Sequence, residues 1–271
     1  MGLSTISLGL GLGGGKSATS SGRPAGGGAF SNLLSASFDG SDDFLNCGSV
    51  TAFNNQTNLS YSLWYKTSQT GKVGLLGGGS GSSVYHWTGN TMYVHAFNGS
   101  NGIHSLTIPT LGAWHNVILS YEGGATSKLY VDGIFKSSQS ASSSTDSNTG
   151  TNFAIGKVPG IGGLFANALI DEVVYFPSAL TDGGGLSAGD TAGGNVETIY
   201  NGGVPGDISS LNPVTHWRMG DGEGDVNSGG GDPANGGTIG TVVNQGSFNT
   251  GSGEGNGTGS NGPPFSTDVP A

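Results

Sequence analysis

The sequence is short of charge, cysteine and long apolar runs. Only 10% of its residues are charged, and 8 basic against 18 acidic residues give a net charge of −10. Such a chain repels phosphate backbones and anionic lipid head groups, so we expect no nucleic-acid partner and no membrane insertion. The single Cys47 excludes an internal disulfide. No stretch approaches the roughly 18 consecutive apolar residues of a membrane-spanning helix.

The first residues also lack the features of a secretory signal. They have no cationic start, and glycine and serine interrupt their apolar positions. An extracellular or cell-surface location would therefore require another exit from the producing cell, such as lysis.

Glycine is abundant, with 55 residues in the chain. Because glycine loses more backbone freedom on folding than other residues, we place most of it in turns and terminal segments. The composition predicts three parts: a glycine- and serine-rich N-terminal arm over residues 1–30, a β-sandwich over 31–220, and a glycine- and asparagine-rich tail over 221–271. The arm is either a flexible linker or an added edge strand for a neighbour, and the tail should be mostly loop.

Short alternating runs recur about every ten residues between Leu33 and Pro177, as expected for an antiparallel sandwich. In one of them, Leu59, Tyr61, Leu63 and Tyr65 share a strand face, and Trp64 lies on the opposite face. Asp132-Gly133 predicts a two-residue hairpin turn, since both residues tolerate positive φ. The run VETIY at 196–200, followed by Asn-Gly-Gly, predicts one short helix.

Three stretches resemble the laminin-G-like, concanavalin A-like lectin/glucanase jelly rolls: SFDGSDDFLNCG at 37–48, the segment from WHNV to YVDG at 114–133, and the segment from FAIG to PSAL at 153–180. The resemblance implies an all-β antiparallel jelly-roll sandwich. The run THWRMGDGEGD resembles the lead-in that normally precedes the FDG strand of such domains, but here it follows the domain. It either closes its own sandwich in a permuted order or pairs with a neighbouring subunit.

Catalytic motifs are not convincing in this sequence. GLGGGKS at 11–17 lacks the spacing of a phosphate-binding loop. Glucanases of the resembled fold use spaced carboxylates on one strand, whereas Asp171 and Glu172 are adjacent and should point to opposite faces. The histidines lack the close spacing of a zinc site, and His86, His95 and His104 are predicted as a polar ladder on a sheet surface. We therefore predict a protein that is not an enzyme.

Two kinds of binding site remain as candidates. The acidic turn of Asp39, Asp42 and Asp43, with Asp171 on a strand that the resemblance places nearby, offers the oxygen ligands that calcium takes; the alternative is an ordinary polar turn. Aromatic rings that stack on sugar rings could form a carbohydrate site, and the alternative is that they only cover the sheet. The carbohydrate candidates are Trp64, Tyr85, Trp87, Tyr93 and His95.

The glycine-rich start and the FSTDVP ending also resemble virion proteins of tailed phages, which leave the host by lysis. This layout predicts a virion structural, decoration or fibre protein that self-associates with other virion subunits and forms a homo-oligomer. Such a protein could also hold surface glycans. The alternative is a carbohydrate-binding or adhesion module of a secreted or cell-surface protein.

Overall fold

A computed structural model describes residues 30–53, 56–78, 82–95, 103–143, 152–159, 161, 164–249, 251 and 253–271. The predicted N-terminal arm, apart from its last residue, lies outside the described residues, and so does the GLGGGKS segment. In the described part of the chain, no helix is long and apolar enough to cross a membrane.

Strands dominate the structure. They are β1 (Ser35–Asp39), β2 (Phe44–Asn46), β3 (Asn58–Lys66), β4 (Val73–Gly77), β5 (Ser83–Trp87), β6 (Thr91–His95), β7 (Ile103–Thr107), β8 (Trp114–Glu122), β9 (Thr126–Val131), β10 (Ile134–Ser140), β11 (Ala154–Ile155), β12 (Lys157–Val158), β13 (Leu164–Phe165), β14 (Asn167–Phe176), β15 (Thr215–Trp217), β16 (Val226–Asn227), β17 (Ile239–Val242), β18 (Gly257–Ser260) and β19 (Phe265–Ser266). The α-helix α1 (Gly194–Tyr200) and the short 3-10 turns Thr51–Phe53, Asn201–Gly203 and Ser209–Leu211 complete the elements.

The strands form two antiparallel sheets that pack as a jelly-roll sandwich. Sheet A has the order β10-β9-β8-β3-β14-β1-β19, with β15 also paired to β14. Sheet B has the order β16-β17-β18-β2-β11-β4-β5-β6-β7, and β12 and β13 form a separate hairpin. The predicted all-β antiparallel jelly roll is confirmed.

Alternation along the strands builds the core between the sheets. Leu59, Tyr61, Leu63 and Tyr65 of β3 are buried there at 2% exposure or less, as their shared parity predicts. Rings contributed by loops and by both sheets complete the core: Phe53 stacks on Tyr175 with centroids 4.0 Å apart. Burial of this apolar surface is the main stabilising term, at about 25 cal/mol per Å².

Local predictions also hold. Asp132 and Gly133 have φ of 55° and 70° and join β9 to β10 as a tight hairpin. The predicted helix forms over Gly194–Tyr200 and ends at Asn201, which takes the left-handed conformation. It covers part of the outer face of sheet A, where Val196 and Ile199 belong to a second apolar cluster.

The described residues of 221–271 are mostly loop, as the composition predicts, but four short strands join this segment to the two sheets. β15 pairs with β14 of the same chain, so the THWRMGDGEGD segment closes its own sandwich. Farther along, β16, β17 and β18 extend sheet B beside β2, and β19 pairs with β1 in sheet A. The physical reason is that existing sheet edges supply hydrogen-bond partners, so a few buried anchors suffice to order a glycine-rich segment. The anchors are Ile239, Val242 and Phe265, each at 1% exposure or less.

Candidate functional site

Four of the five predicted sugar-binding side chains lie together on the outer surface of sheet B. In β5, Val84 and His86 point into the core, so Tyr85 and Trp87 point outwards; in β6, Tyr93 and His95 alternate in the same way with buried Met92 and Val94. The register pairs Tyr85 with Tyr93, and β5 and β6 thereby place these side chains side by side. We call Tyr85, Trp87, Tyr93 and His95 the aromatic face.

The rings of the aromatic face contact one another. Tyr85 stacks on Tyr93 with centroids 5.4 Å apart and meets the edge of Trp87 at 6.1 Å. The Tyr85 hydroxyl lies 3.1 Å from His95 Nε2, within hydrogen-bond distance. Burial lowers the pKa of His95 to about 4, so its imidazole is neutral at physiological pH. The exposed Ser105 of β7 pairs with Tyr93 and adds a hydroxyl beside the rings.

A hairpin forms a wall at one side of the aromatic face. Val158 of β12 and Leu164 of β13 pack against Tyr85. This close approach requires glycine in β4, because a Cβ at Gly74 would lie 2.4 Å from the Leu164 carbonyl oxygen. The hairpin leaves Tyr85 8% exposed, so Trp87, Tyr93 and His95 are the more accessible rings of the face. Two surface cavities of about 360 and 390 Å³ are lined by other residues.

Lys72 borders the aromatic face and was not among the predicted site residues. Its exposed side chain places Nζ 3.9 Å from the centroid of the Trp87 ring, a cation–π contact. The sequence could have indicated Lys72 as a site residue. Residues 44–121 contain no aspartate or glutamate, and Lys72 is one of two lysines in that range.

Trp64 is not part of this face. It points to the outer side of sheet A, away from the core, as the alternation of β3 predicts. That side is covered, however, and Trp64 is 2% exposed and stacked on Tyr200 of α1 with centroids 5.8 Å apart. Because its ring is covered by a segment distant in sequence, it offers no face to a sugar.

The acidic turn brings Asp39, Asp42 and Asp43 together. One carboxylate oxygen from each lies within 4.8 Å of the others. Burial raises the pKa of Asp43, and the neighbouring Asp39 carboxylate raises it further. Asp39 also accepts a hydrogen bond from the Ser41 amide at 2.7 Å, which is the polar-turn arrangement given as the alternative to calcium. Calcium binding at this turn stays a prediction.

Asp171, the fourth predicted calcium ligand, lies elsewhere. The β1–β14 register pairs Asp39 with Asn167, and Asp171 is four residues farther along β14, roughly 13 Å at the ordinary rise of a strand. Its side chain is fully buried, and burial together with the adjacent Glu172 raises its pKa well above the ordinary value. The structure therefore does not bring Asp171 to the acidic turn.

Glu172 departs from the strict alternation expected of β14. It has φ of 43°, and the pairing register shifts between Asp171 and Val174, which marks a β-bulge. Its carboxylate contacts His216 Nε2 and accepts a hydrogen bond from Arg218 Nε at 3.0 Å. Burial raises its pKa, but these two neighbours outweigh burial and hold the pKa below its ordinary value. Both oxygens are thus committed inside the protein, which offers no glycosidase pair with Asp171.

The predicted surface ladder of histidines is wrong for two of its three members. His86 and His104 are 0% exposed and point into the sandwich, because they share parity with core residues of β5 and β7. His104 bridges the sheets through Ser127 and Ser137 at 2.8 and 2.7 Å, and His86 Nε2 lies 3.2 Å from the Tyr65 hydroxyl. Of the three, His95 alone faces outwards.

Comparison with solved structures supports the fold. A protein from Bacteroides ovatus that is proposed to bind carbohydrate superposes with a TM-score of 0.62 at 16% identity, over 89% of this chain and 62% of its own. The present chain thus spans less than two thirds of that protein.

Two further structures overlap more weakly. One is a heptameric pentraxin from Limulus polyphemus (TM-score 0.42, 16% identity, 55% of this chain and 78% of that one). The other is domain 4 of an extracellular arabinanase from Geobacillus stearothermophilus with arabinotriose (TM-score 0.36, 24% identity, 47% and 64%).

The sequence was also compared with curated proteins and with protein families. No curated protein matches it. Residues 39–183 match the Laminin G 3 family, described as concanavalin A-like lectin/glucanases superfamily. This match spans the acidic turn, the aromatic face and β14. The chain therefore belongs to the Laminin G 3 family of the concanavalin A-like lectin/glucanase superfamily.

Proposed function

We propose that the protein is a non-enzymatic carbohydrate-binding module and that the aromatic face of sheet B is its binding surface. The observation that carries the proposal is the grouping of Tyr85, Trp87, Tyr93 and His95 on an outward sheet surface. Aromatic rings provide apolar faces for sugar C–H groups, and the adjacent hydroxyl and imidazole groups provide hydrogen bonds. The rings lie on neighbouring strands of a sheet surface, an arrangement that can contact more than one sugar of a chain.

Family and fold agree with this proposal. The similar Bacteroides ovatus protein is itself proposed to bind carbohydrate, although 16% identity transfers only the fold. A non-enzymatic role is consistent with the occupied oxygens of Glu172 and the full burial of Asp171. The extracellular or cell-surface location expected of such a module is part of the proposal.

The virion role stays a prediction. The glycine-rich C-terminal segment had suggested assembly into a larger particle. In the structure, that segment pairs with both sheets of its own chain. The carbohydrate-binding alternative therefore has the better support, and a phage protein that uses this face to hold glycans would satisfy both.

A binding experiment tests the proposed function. Polysaccharide affinity electrophoresis and a glycan array identify a ligand for the wild type, and Trp87→Ala and Tyr93→Ala are then compared with it. We expect each variant to weaken binding about tenfold, equivalent to about 1.4 kcal/mol. Trp114→Ala is the matched control, since it removes a partly exposed ring from sheet A. Unchanged binding in both face variants, with folding intact by circular dichroism, would place the site elsewhere.

A further inference from the structure

Negative charge is unevenly distributed in this acidic protein. The chain has 18 acidic residues, yet residues 44–121 contain none. This segment supplies β4 to β7, the part of sheet B that carries the aromatic face. Residues 147–170, which supply the hairpin beside the face, also contain none. The aromatic face and its wall are thus built from strands without a carboxylate.

Lys72 is the cation that lies over the aromatic face itself; Lys157 of the neighbouring hairpin lies instead over the rings of Phe44 and Phe165, at 4.4 and 4.7 Å. Three other cations are held in ion pairs. Lys66 pairs with Asp268 at 2.6 Å, Lys128 with Asp182 at 2.8 Å, and Arg218 with Glu172 at 3.0 Å. Lys72 has no carboxylate within 4.0 Å in the described part of the chain and lies instead over Trp87. A cation–π contact leaves the ammonium N–H groups that point away from the ring able to donate to a ligand.

We propose that the ligand of the aromatic face is an anionic polysaccharide and that the Lys72 ammonium binds its carboxylate or sulfate groups. This inference rests on the proposed function and names the class of its ligand. A neutral sugar needs no cation beside its stacking ring, whereas a charged group near a bound sugar pairs with one.

The net negative charge of the protein also favours the aromatic face as the site for an anionic ligand. With a net charge of −10, the protein as a whole repels an anionic polymer, and the strands of the aromatic face add no carboxylate of their own to that repulsion. His95 is neutral at physiological pH and adds no charge of its own, so Lys72, which contacts the Trp87 ring, is the cation that should set the preference. Binding should weaken as salt rises, because the pair is exposed and the Debye length is about 10 Å at 0.1 M salt.

The experiment compares matched anionic and neutral ligands. One pair is oligogalacturonate and its methyl ester, which tests a carboxylate. The other is a sulfated galactan and the same polymer after desulfation, which tests a sulfate. Isothermal titration calorimetry at low salt is done with wild type, Lys72→Gln, and Lys136→Gln as the control that removes the same charge from β10 of sheet A.

The wild type should bind the anionic member of at least one pair more tightly than its neutral partner, by about fivefold, as for an exposed ion pair. Lys72→Gln should lose that preference, and Lys136→Gln should keep it. Equal binding of both members, or a preference that survives in Lys72→Gln, overturns the inference. If the inference fails in this way but Tyr93→Ala still weakens binding of these polysaccharides, the proposed function stands. Binding of neither pair overturns the anionic ligand, and the glycan array then decides the proposed function separately.

Discussion

Burial of His86 and His104 predicts that the protein loses stability in mild acid. Burial lowers the pKa of each imidazole to about 4, from an ordinary value of 6.5. The unfolded chain therefore binds protons at a pH where the folded chain does not. The contribution of the two neutral imidazoles to the free energy of unfolding is complete above about pH 6.5 and is lost as pH falls from 6.5 towards 4.

The size of the effect follows from the two pKa values. At pH 5 each histidine lowers the free energy of unfolding by about 2 kcal/mol, so the two together lower it by about 4 kcal/mol. His95 also has a pKa of about 4, but its ring is partly exposed and solvent screening reduces its share, so it is left out of this sum. A loss of about 4 kcal/mol is a large part of the 5–15 kcal/mol that stabilises an ordinary domain.

Urea denaturation followed by tryptophan fluorescence at several pH values between about 5 and 7 measures this effect. His104→Gln should reduce the difference between the extremes by about 2 kcal/mol, and His86→Gln should do the same if the first variant does not fold. The variants must be compared with wild type because Asp171 changes the free energy of unfolding in the opposite direction. Its pKa is raised, so its contribution to stability is lost as pH rises.

His115 provides a control of opposite sign. Burial lowers its pKa, but hydrogen bonds to Asp132 and to the Thr110 carbonyl outweigh burial and raise it. Its stabilising contribution is therefore present below the unfolded pKa and lost as pH rises, and His115→Gln should enlarge the acid sensitivity. An unchanged slope of stability against pH in both His86→Gln and His104→Gln, relative to wild type, would refute the reasoning.

Three other predictions concern the ion network, the acidic turn and the C-terminal strands. Glu172→Gln removes the carboxylate that contacts the buried His216 and the partly exposed Arg218, and we expect a loss of about 3 kcal/mol in urea denaturation; an unchanged midpoint would contradict this. If calcium binds the acidic turn, calcium raises the melting temperature of the wild type but not of Asp42→Asn, and an identical response of both to calcium and to EDTA would contradict it. A chain that ends at Asn256 lacks β18 and β19 and should be cut rapidly by protease, whereas resistance equal to that of the full chain would show that these strands are dispensable.

Local patterns were enough to predict most strands and the turn chemistry. The parity of Leu59 to Tyr65 gave the core face of β3, because a half-buried strand separates its two sides in sequence. Asp132-Gly133 was equally informative, since few residue pairs tolerate positive φ at both turn positions. The position of Tyr85 and Tyr93 on one outward surface also follows from parity once β5 and β6 pair.

The failures depend on long-range structure. Trp64 has the parity of an outward residue, and only the later segment that folds over sheet A buries it. The bulge at Glu172 leaves no mark in hydrophobic alternation, so the contacts of Glu172 with His216 and Arg218, more than 40 residues away, were missed. The C-terminal strands have too few apolar residues to show alternation. Their hydrogen-bond partners lie in distant parts of the chain, so the local sequence does not indicate that they form strands.

The placement of those C-terminal strands constrains how the chain matures during synthesis. Ser35 Oγ donates to the carbonyl of Asp268, and β19 completes the sheet edge at β1, so the first strand of the sandwich pairs with a strand more than 220 residues later in the chain. Until residues 257–266 have been made, β1 and β2 each lack one of their strand neighbours. Such distant pairing slows folding and prolongs exposure to aggregation. Producing this protein in good yield should therefore depend on keeping newly made chains apart from one another until β18 and β19 have paired with β2 and β1.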